Sequence, residues 1–305
     1  MLDLPCFIGG FRSGTTLLIN LLGMHPALVP WFETKELCEL LRWLRVREQP
    51  GEAAFETAYV SPPEPAGFTL EAVHGRMLAQ MRGTAARQSG AIASGKASHE
   101  RYPLGNDWVR YSLNEAETLL NAWRDACADA SAIEPASAAL IQALGRAQCA
   151  GAPSSYWVNK TPEISRFAPQ LRRLLGPCRV LYMVRNGLEV VASASRLGWG
   201  QTEQLAYNWK ALLELTRTGT AEQAAHYLEL RYETLLAAPA ATLDQVFAFL
   251  GVESRGEAIV ADFQARYGAG AFAHPGGGGK VALPAAEHAR FMAVAGDLQQ
   301  ALGYC

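Results

Sequence analysis

The chain has little that is paired, repeated or one-sided. Its six cysteines, Cys6, Cys38, Cys127, Cys149, Cys178 and Cys305, lie far apart, with no CxxC pair and no metal-ligand spacing. They read as free thiols of a reducing compartment, which excludes a disulfide scaffold. No run reaches the roughly 18 uninterrupted apolar residues of a membrane span, and no basic, cleavable leader precedes the first apolar run. The expectation is a cytoplasmic protein without a membrane span. Neither charge dominates: 27 Lys and Arg stand against 29 Asp and Glu, a formal charge of −2. With no basic excess or stripe, a nucleic-acid partner is not expected, whereas a small anion needs only a few local cations. No acidic cluster or histidine set has metal-ligand spacing, so no metal is expected either. What the chain has is length and apolar content. Its 305 residues, 50% of them hydrophobic, can bury a large core.

Short apolar runs bounded by glycine and proline read as strands at 6–10, 27–32, 156–159, 178–184 and 226–231, although Pro30 weakens the second. Helical spacing follows most of them. Leu17, Leu18, Leu21 and Leu22 recur until His25-Pro26, and Thr34 is placed to cap a helix carrying Leu37, Leu40, Leu41 and Leu44. Further helices are expected at 163–175, 187–197, 203–218, 221–225, 239–250 and 284–302. Residues 48–150 break the alternation. They read as a mostly helical insertion or lid, helical around 70–88 and over 113–149, with a break near Glu134-Pro135. The fold class is therefore α/β: a three-layer, P-loop-type fold with a central parallel sheet, formed by one domain over 1–305.

Two segments carry chemistry. Gly9-Gly10-Phe11-Arg12-Ser13-Gly14-Thr15-Thr16 joins the first strand to the first helix with the glycine spacing of a phosphate loop. Backbone N–H groups and the helix N-terminus there suit an anion, and the Ser13, Thr15 and Thr16 hydroxyls add donors. A nucleoside triphosphatase has Lys directly after the second glycine; this chain has Thr15 there, so Arg12 is the loop's cation and a shorter phosphate chain is favoured. The second segment is Val184-Arg185-Asn186-Gly187-Leu188-Glu189-Val190-Val191-Ala192-Ser193. Arg185 follows a strand directly, at the sheet edge where open α/β folds bind ligands. Ser193 lies about two turns into the next helix, within reach of the same anion.

GGFRSGTTLL resembles the 5′-phosphosulfate loop of sulfotransferases that use 3′-phosphoadenosine-5′-phosphosulfate (PAPS), and VRNGLEVVAS resembles their 3′-phosphate motif. LRYETLLAAPAATLDQVFAFLG is similar to the segment that follows. The likeness covers 5–47, 156–197 and 226–252; within the family it is nearest the tyrosylprotein sulfotransferases, through His25-Pro26, Glu33-Thr34 and Asn159-Lys160-Thr161-Pro162. Phe11 departs from the usual proline, and the membrane anchor of those enzymes has no counterpart, so the acceptor class does not transfer.

The resemblance implies PAPS as sulfuryl donor, 3′,5′-adenosine bisphosphate (PAP) as product, and no metal. It implies Glu33 as catalytic base, with Arg12 and Lys160 near the transferred group. It further implies Ser13, Gly14, Thr15 and Thr16 on the 5′-phosphate, Arg185 and Ser193 on the 3′-phosphate and Tyr232 near the adenine; separately, Lys280, placed after four glycines, could close over the cofactor. The acceptor is a small-molecule or peptide hydroxyl: a phenol, tyrosine, sugar or natural-product alcohol. Homo-oligomerisation is left open. Other readings stand beside these. Glu33 could serve only as negative charge at a helix start, Lys280 could end a linker, and His25 and His99 are alternative bases. Trp31 and Phe32 could line an acceptor pocket or simply pack in the core. A small-molecule kinase or a non-catalytic nucleotide-binding protein would share the anion loop, but neither calls for both Glu33 and Lys160.

Overall fold

A computed structural model describes residues 4–49, 68–93, 109–272 and 282–304. Its centre is a five-stranded, wholly parallel sheet in the order β2-β3-β1-β4-β5. The strands are β1 (Cys6–Gly9), β2 (Val29–Phe32), β3 (Trp157–Lys160), β4 (Arg179–Val184) and β5 (Tyr227–Arg231). Pro30 lies on β2, an edge strand, where a missing backbone donor is tolerated.

Helices cover both faces, in chain order α1 (Thr15–Leu22), α2 (Lys35–Glu48), α3 (Leu70–Ala93), α4 (Leu113–Ala126), α5 (Ile133–Gln148) and α6 (Ala168–Leu175). They continue with α7 (Gly187–Ser195), α8 (Thr202–Thr220), α9 (Tyr232–Ala237), α10 (Pro239–Leu250), α11 (Gly256–Tyr267) and α12 (Ala285–Ala301). Side-chain alternation along the strands separates the layers. Cys6, Ile8, Val158, Leu181 and Met183 face one apolar cluster with α1, α10 and α11. Phe7, Trp31 and Trp157 face a second cluster with α2 to α6. Tyr182 and Val184 face a third with α7, α8 and α12.

Within the insertion the described residues 68–93 and 109–150 are mostly helical, and two details, one in the insertion and one outside it, differ from expectation. The break in the 113–149 stretch falls at residues 127–132, before Glu134-Pro135. Pro135 sits in the first turn of α5, where its missing N–H costs no helical bond. The Ser112 hydroxyl, not anticipated as a cap, starts α4 by accepting from the Glu115 N–H. The second correction concerns Thr34. It occupies the cap position of α2, but its side chain makes no capping bond.

Candidate active site

The carboxyl ends of all five strands converge on one edge, and each delivers a residue singled out by its sequence context. β1 runs into the glycine loop, β2 into Glu33, β4 into Arg185 and β5 into Tyr232, while Lys160 is the last residue of β3. β1, at the centre, connects to β2 on one side and is flanked by β4 on the other. That reversal opens the crevice in which open α/β sheets bind ligands.

The loop is held by close backbone approach. The Gly10 N–H donates to the Pro162 carbonyl at 2.9 Å. Gly10 has φ +123°, and a Cβ there would lie 2.5 Å from the Met183 carbonyl oxygen. Gly14 has φ +85°, and its Cβ would lie 2.3 Å from the Tyr232 ring. Only glycine fits either place. No side chain caps α1, so its first backbone N–H groups open toward the crevice with the helix dipole behind them. The buried Ser13 hydroxyl donates to the Phe11 carbonyl and so braces the loop from within. Thr15 is buried and Thr16 half-buried in the first turn.

Arg12 and Ser193, one from each motif, meet directly: the guanidinium donates to the Ser193 hydroxyl at 3.2 and 3.0 Å. Arg12 also lies over the Trp199 ring, 5.2 Å from its centroid, and no carboxylate pairs with it among the described residues. Burial lowers its pKa, and the nearby Arg185 and Arg196 lower it further while Glu33 opposes them. A desolvated cation among cations is the environment an anionic ligand would relieve. Arg185 stacks on Tyr232 at 4.4 Å and forms an ion pair with Glu189 at 2.8 Å. Glu189 lies in the first turn of α7, whereas Arg185 precedes the cap of that helix, so the pair joins the strand end to the helix start. Trp199, an exposed aromatic between two glycines, carried no motif signal.

On the other side of the crevice, the Lys160 ammonium donates to Glu33 Oε1 at 2.7 Å. Lys160 is 1% exposed and the Glu33 side chain 43%, so the pair runs from the interior to the crevice. Burial pushes the lysine below its ordinary pKa and Glu33 counters that shift. The Phe32 ring lies 4.5 Å from the ammonium. A buried network fixes the turn that presents Glu33. Asn159 Nδ2 donates to Thr34 Oγ1 at 2.7 Å, the Thr34 N–H donates to Thr161 Oγ1 at 3.0 Å, and the Thr161 hydroxyl donates to Asn159 Oδ1 at 3.0 Å. This explains why Thr34 caps nothing.

The remaining candidates separate. His25 is 2% exposed; its Nδ1 accepts from the Ala27 N–H, so Nε2 carries the proton and donates to the Glu253 carbonyl. Both ring nitrogens are engaged away from the crevice. Trp31 is a core residue, edge-on to Trp157 and Tyr111. His99 and Lys280 lie outside the described residues. No group of three or more His, Cys, Asp or Glu side chains suited to a metal ion occurs among the described residues. No helix among them is long and apolar enough to cross a membrane.

Residues 5–255 match the sulfotransferase family. The chain belongs to that family. Among solved structures, it is similar to the sulfotransferase STF9 from Mycobacterium avium, with a TM-score of 0.55 and 14% identity over 100% of this chain and 78% of that one. It also matches the sulfotransferase domain of the Synechococcus PCC 7002 olefin synthase, with a TM-score of 0.49 and 15% identity over 99% and 94% of the two chains. No curated protein sequence matches the chain. Identities this low support the shared fold of this sulfotransferase; its donor, acceptor and site residues rest on the site itself.

Proposed function

We propose that this sulfotransferase moves a sulfuryl group from PAPS to an acceptor hydroxyl, with residues 1–305 acting as one catalytic unit and 48–150 on the acceptor side. The observation that carries this reading is the meeting of Arg12, which has no carboxylate ion-pair partner among the described residues, with Ser193, beside the Glu33–Lys160 pair. The fit of an adenosine 3′,5′-bisphosphate is supported by two separate cation positions, Arg12 in the loop and Arg185 after β4, with Tyr232 under the second. A kinase reading lacks the loop lysine, since Thr15 stands in its place.

PAPS supplies an activated sulfuryl group on a phosphate leaving oxygen. The loop N–H groups, Ser13, Thr15, Thr16 and Arg12 bind the 5′-phosphate and oppose the charge that develops as the S–O bond to it breaks. Arg185 and Ser193 take the 3′-phosphate, and Tyr232 lies beside the adenine; Lys280 is proposed to close over the nucleotide. Arg185 would then exchange its Glu189 partner for phosphate. Glu33 accepts the proton of the acceptor hydroxyl as its oxygen bonds to sulfur. Lys160 orients that carboxylate from the interior and holds a positive charge near the transferred group. The acceptor is a phenol, tyrosine, sugar or natural-product alcohol, in a cytoplasmic setting.

The test is PAP formation from PAPS with panels of phenols, tyrosyl peptides, sugars and alcohols, without added metal. Transfer to at least one panel, abolished in Glu33→Gln with bisphosphate affinity retained, is expected. Transfer that survives Glu33→Gln would remove Glu33 as the base.

A further inference from the structure

A second carboxylate lies three residues beyond Glu33, and none of the chemistry above uses it. Glu36, in the first turn of α2, is 3% exposed. Its Oε1 accepts from the Tyr111 hydroxyl at 3.4 Å, and that hydroxyl accepts in turn from Trp31 Nε1 at 3.3 Å. The Trp31 bond turns the phenolic proton toward Glu36. Glu36 Oε2 has no hydrogen-bond partner among the described residues. A buried carboxylate oxygen left unsatisfied is costly and uncommon in a folded protein.

Glu36 also borders an open space within the helical insertion. Glu36 lines a cavity of about 30 Å³ between α2, α3 and the start of α4, with Met81, Thr84, Val109, Tyr111 and Leu113 among its walls. The space holds one small polar group, and most of the remaining wall is apolar. The charged and titratable groups acting on Glu36 are Tyr111 and, more weakly, Arg87, which is itself held by Thr84 Oγ1 at 3.0 Å.

We propose that this cavity receives the hydrogen-bond-donating head group, an ammonium or hydroxyl, of an otherwise apolar acceptor, with Glu36 Oε2 as the receiving atom. The inference rests on the reading of Glu33 as the acceptor-side base. It makes Glu36 a specificity-determining residue, carried on the same short stretch of chain as that base. An ammonium or hydroxyl would complete the carboxylate's bonding, with the acceptor's apolar body remaining outside the cavity.

The test uses three phenols that differ only in the head group: tyramine with an ammonium, tyrosol with a hydroxyl and 4-ethylphenol with neither. Each is titrated into the full chain saturated with 3′,5′-adenosine bisphosphate. Tyramine, tyrosol or both should bind at least tenfold more tightly than 4-ethylphenol, and Glu36→Gln should shrink that difference at least fivefold. Ala85→Leu, which fills the cavity from its wall, is a second variant that should abolish the difference. Which of the first two binds better distinguishes ammonium from hydroxyl. Equal binding of all three, no binding of any, or a difference that survives both variants would overturn the proposal. Bisphosphate binding, measured first and alone, reports on the parent reading. If it holds while the phenols fail to differ, only the cavity assignment falls.

Discussion

Arg12 and Glu33 adopt a backbone conformation that residues with side chains avoid. Their φ values are +50° and +40°, and they are the non-glycine residues with positive φ among those described. The cost is about 1 kcal/mol each, and both lie in the crevice, where such strain concentrates when function requires the geometry. For Arg12 the strain adds to a desolvated charge without a carboxylate partner. Arg12→Gly should therefore change unfolding stability by less than about 1 kcal/mol while weakening bisphosphate binding at least tenfold. Calorimetric titration and thermal unfolding of the same preparation check both halves.

Glu36 makes a pH-dependent prediction at the same scale. Burial raises its pKa to about 7, and its own backbone N–H and then Tyr111 only partly offset that. A native pKa above the unfolded value means stability present at low pH and lost as pH rises through about 7. The loss is about 3 kcal/mol. Glu36→Gln should thus unfold at nearly the wild-type temperature at pH 5 and at a clearly higher one at pH 8.5. A gap that shrinks with rising pH would contradict the burial argument.

At the scale of elements, the site is built from strand ends and the turns that follow them. The hydroxyl–amide network of Thr34, Asn159 and Thr161 joins the ends of β2 and β3 and sets the Glu33 turn. Thr161→Val removes one acceptor and one donor from this buried set, at a cost of about 1–3 kcal/mol. It should lower kcat at least tenfold and bisphosphate affinity by less, because the network bonds the Glu33 turn directly and reaches the glycine loop only through the adjacent Pro162 carbonyl. Gly14→Ala should do the reverse. Its methyl would meet the Tyr232 ring at 2.3 Å from a left-handed backbone, so bisphosphate affinity should fall first.

The strands were legible because each is a short apolar run closed by glycine, proline or a charged residue, as in Cys6–Gly9 and Arg179–Val184. α9 and α11 were not. Tyr232–Ala237 is a six-residue helix directly abutting β5, too short for periodicity to register. Gly256–Tyr267 buries only Gly256, Ile259 and Phe263. The loop, Arg185 and Glu33 were legible because an anion site needs glycines, cations and a strand end in fixed order. The Glu36 cavity was not, because its walls come from α2, α3 and α4 and no local pattern announces their meeting.

At the scale of the molecule, one edge of the sheet gathers both halves of the site, and helices far apart in sequence hold it. α7, which bears Ser193, is fixed at its start by distant groups: Gln299 on α12 accepts from the Gly187 N–H and donates to Asn186 Oδ1, which also caps the helix. A Cβ at Gly187 would lie 2.6 Å from Phe291 and 2.8 Å from Trp209. Gly187→Ala should accordingly destabilise the fold by about 1–3 kcal/mol, read as a lower denaturation midpoint. Such a change would reach the 3′-phosphate side of the crevice without touching the ligand.

The most direct measurement is calorimetric titration of metal-free protein with 3′,5′-adenosine bisphosphate, with ATP and Mg²⁺ as comparator and Arg185→Ala as control. The account predicts bisphosphate binding without metal, weakened at least tenfold by Arg185→Ala, and little affinity for ATP with Mg²⁺. Clear binding of ATP with Mg²⁺ and none of the bisphosphate would contradict PAPS as the donor.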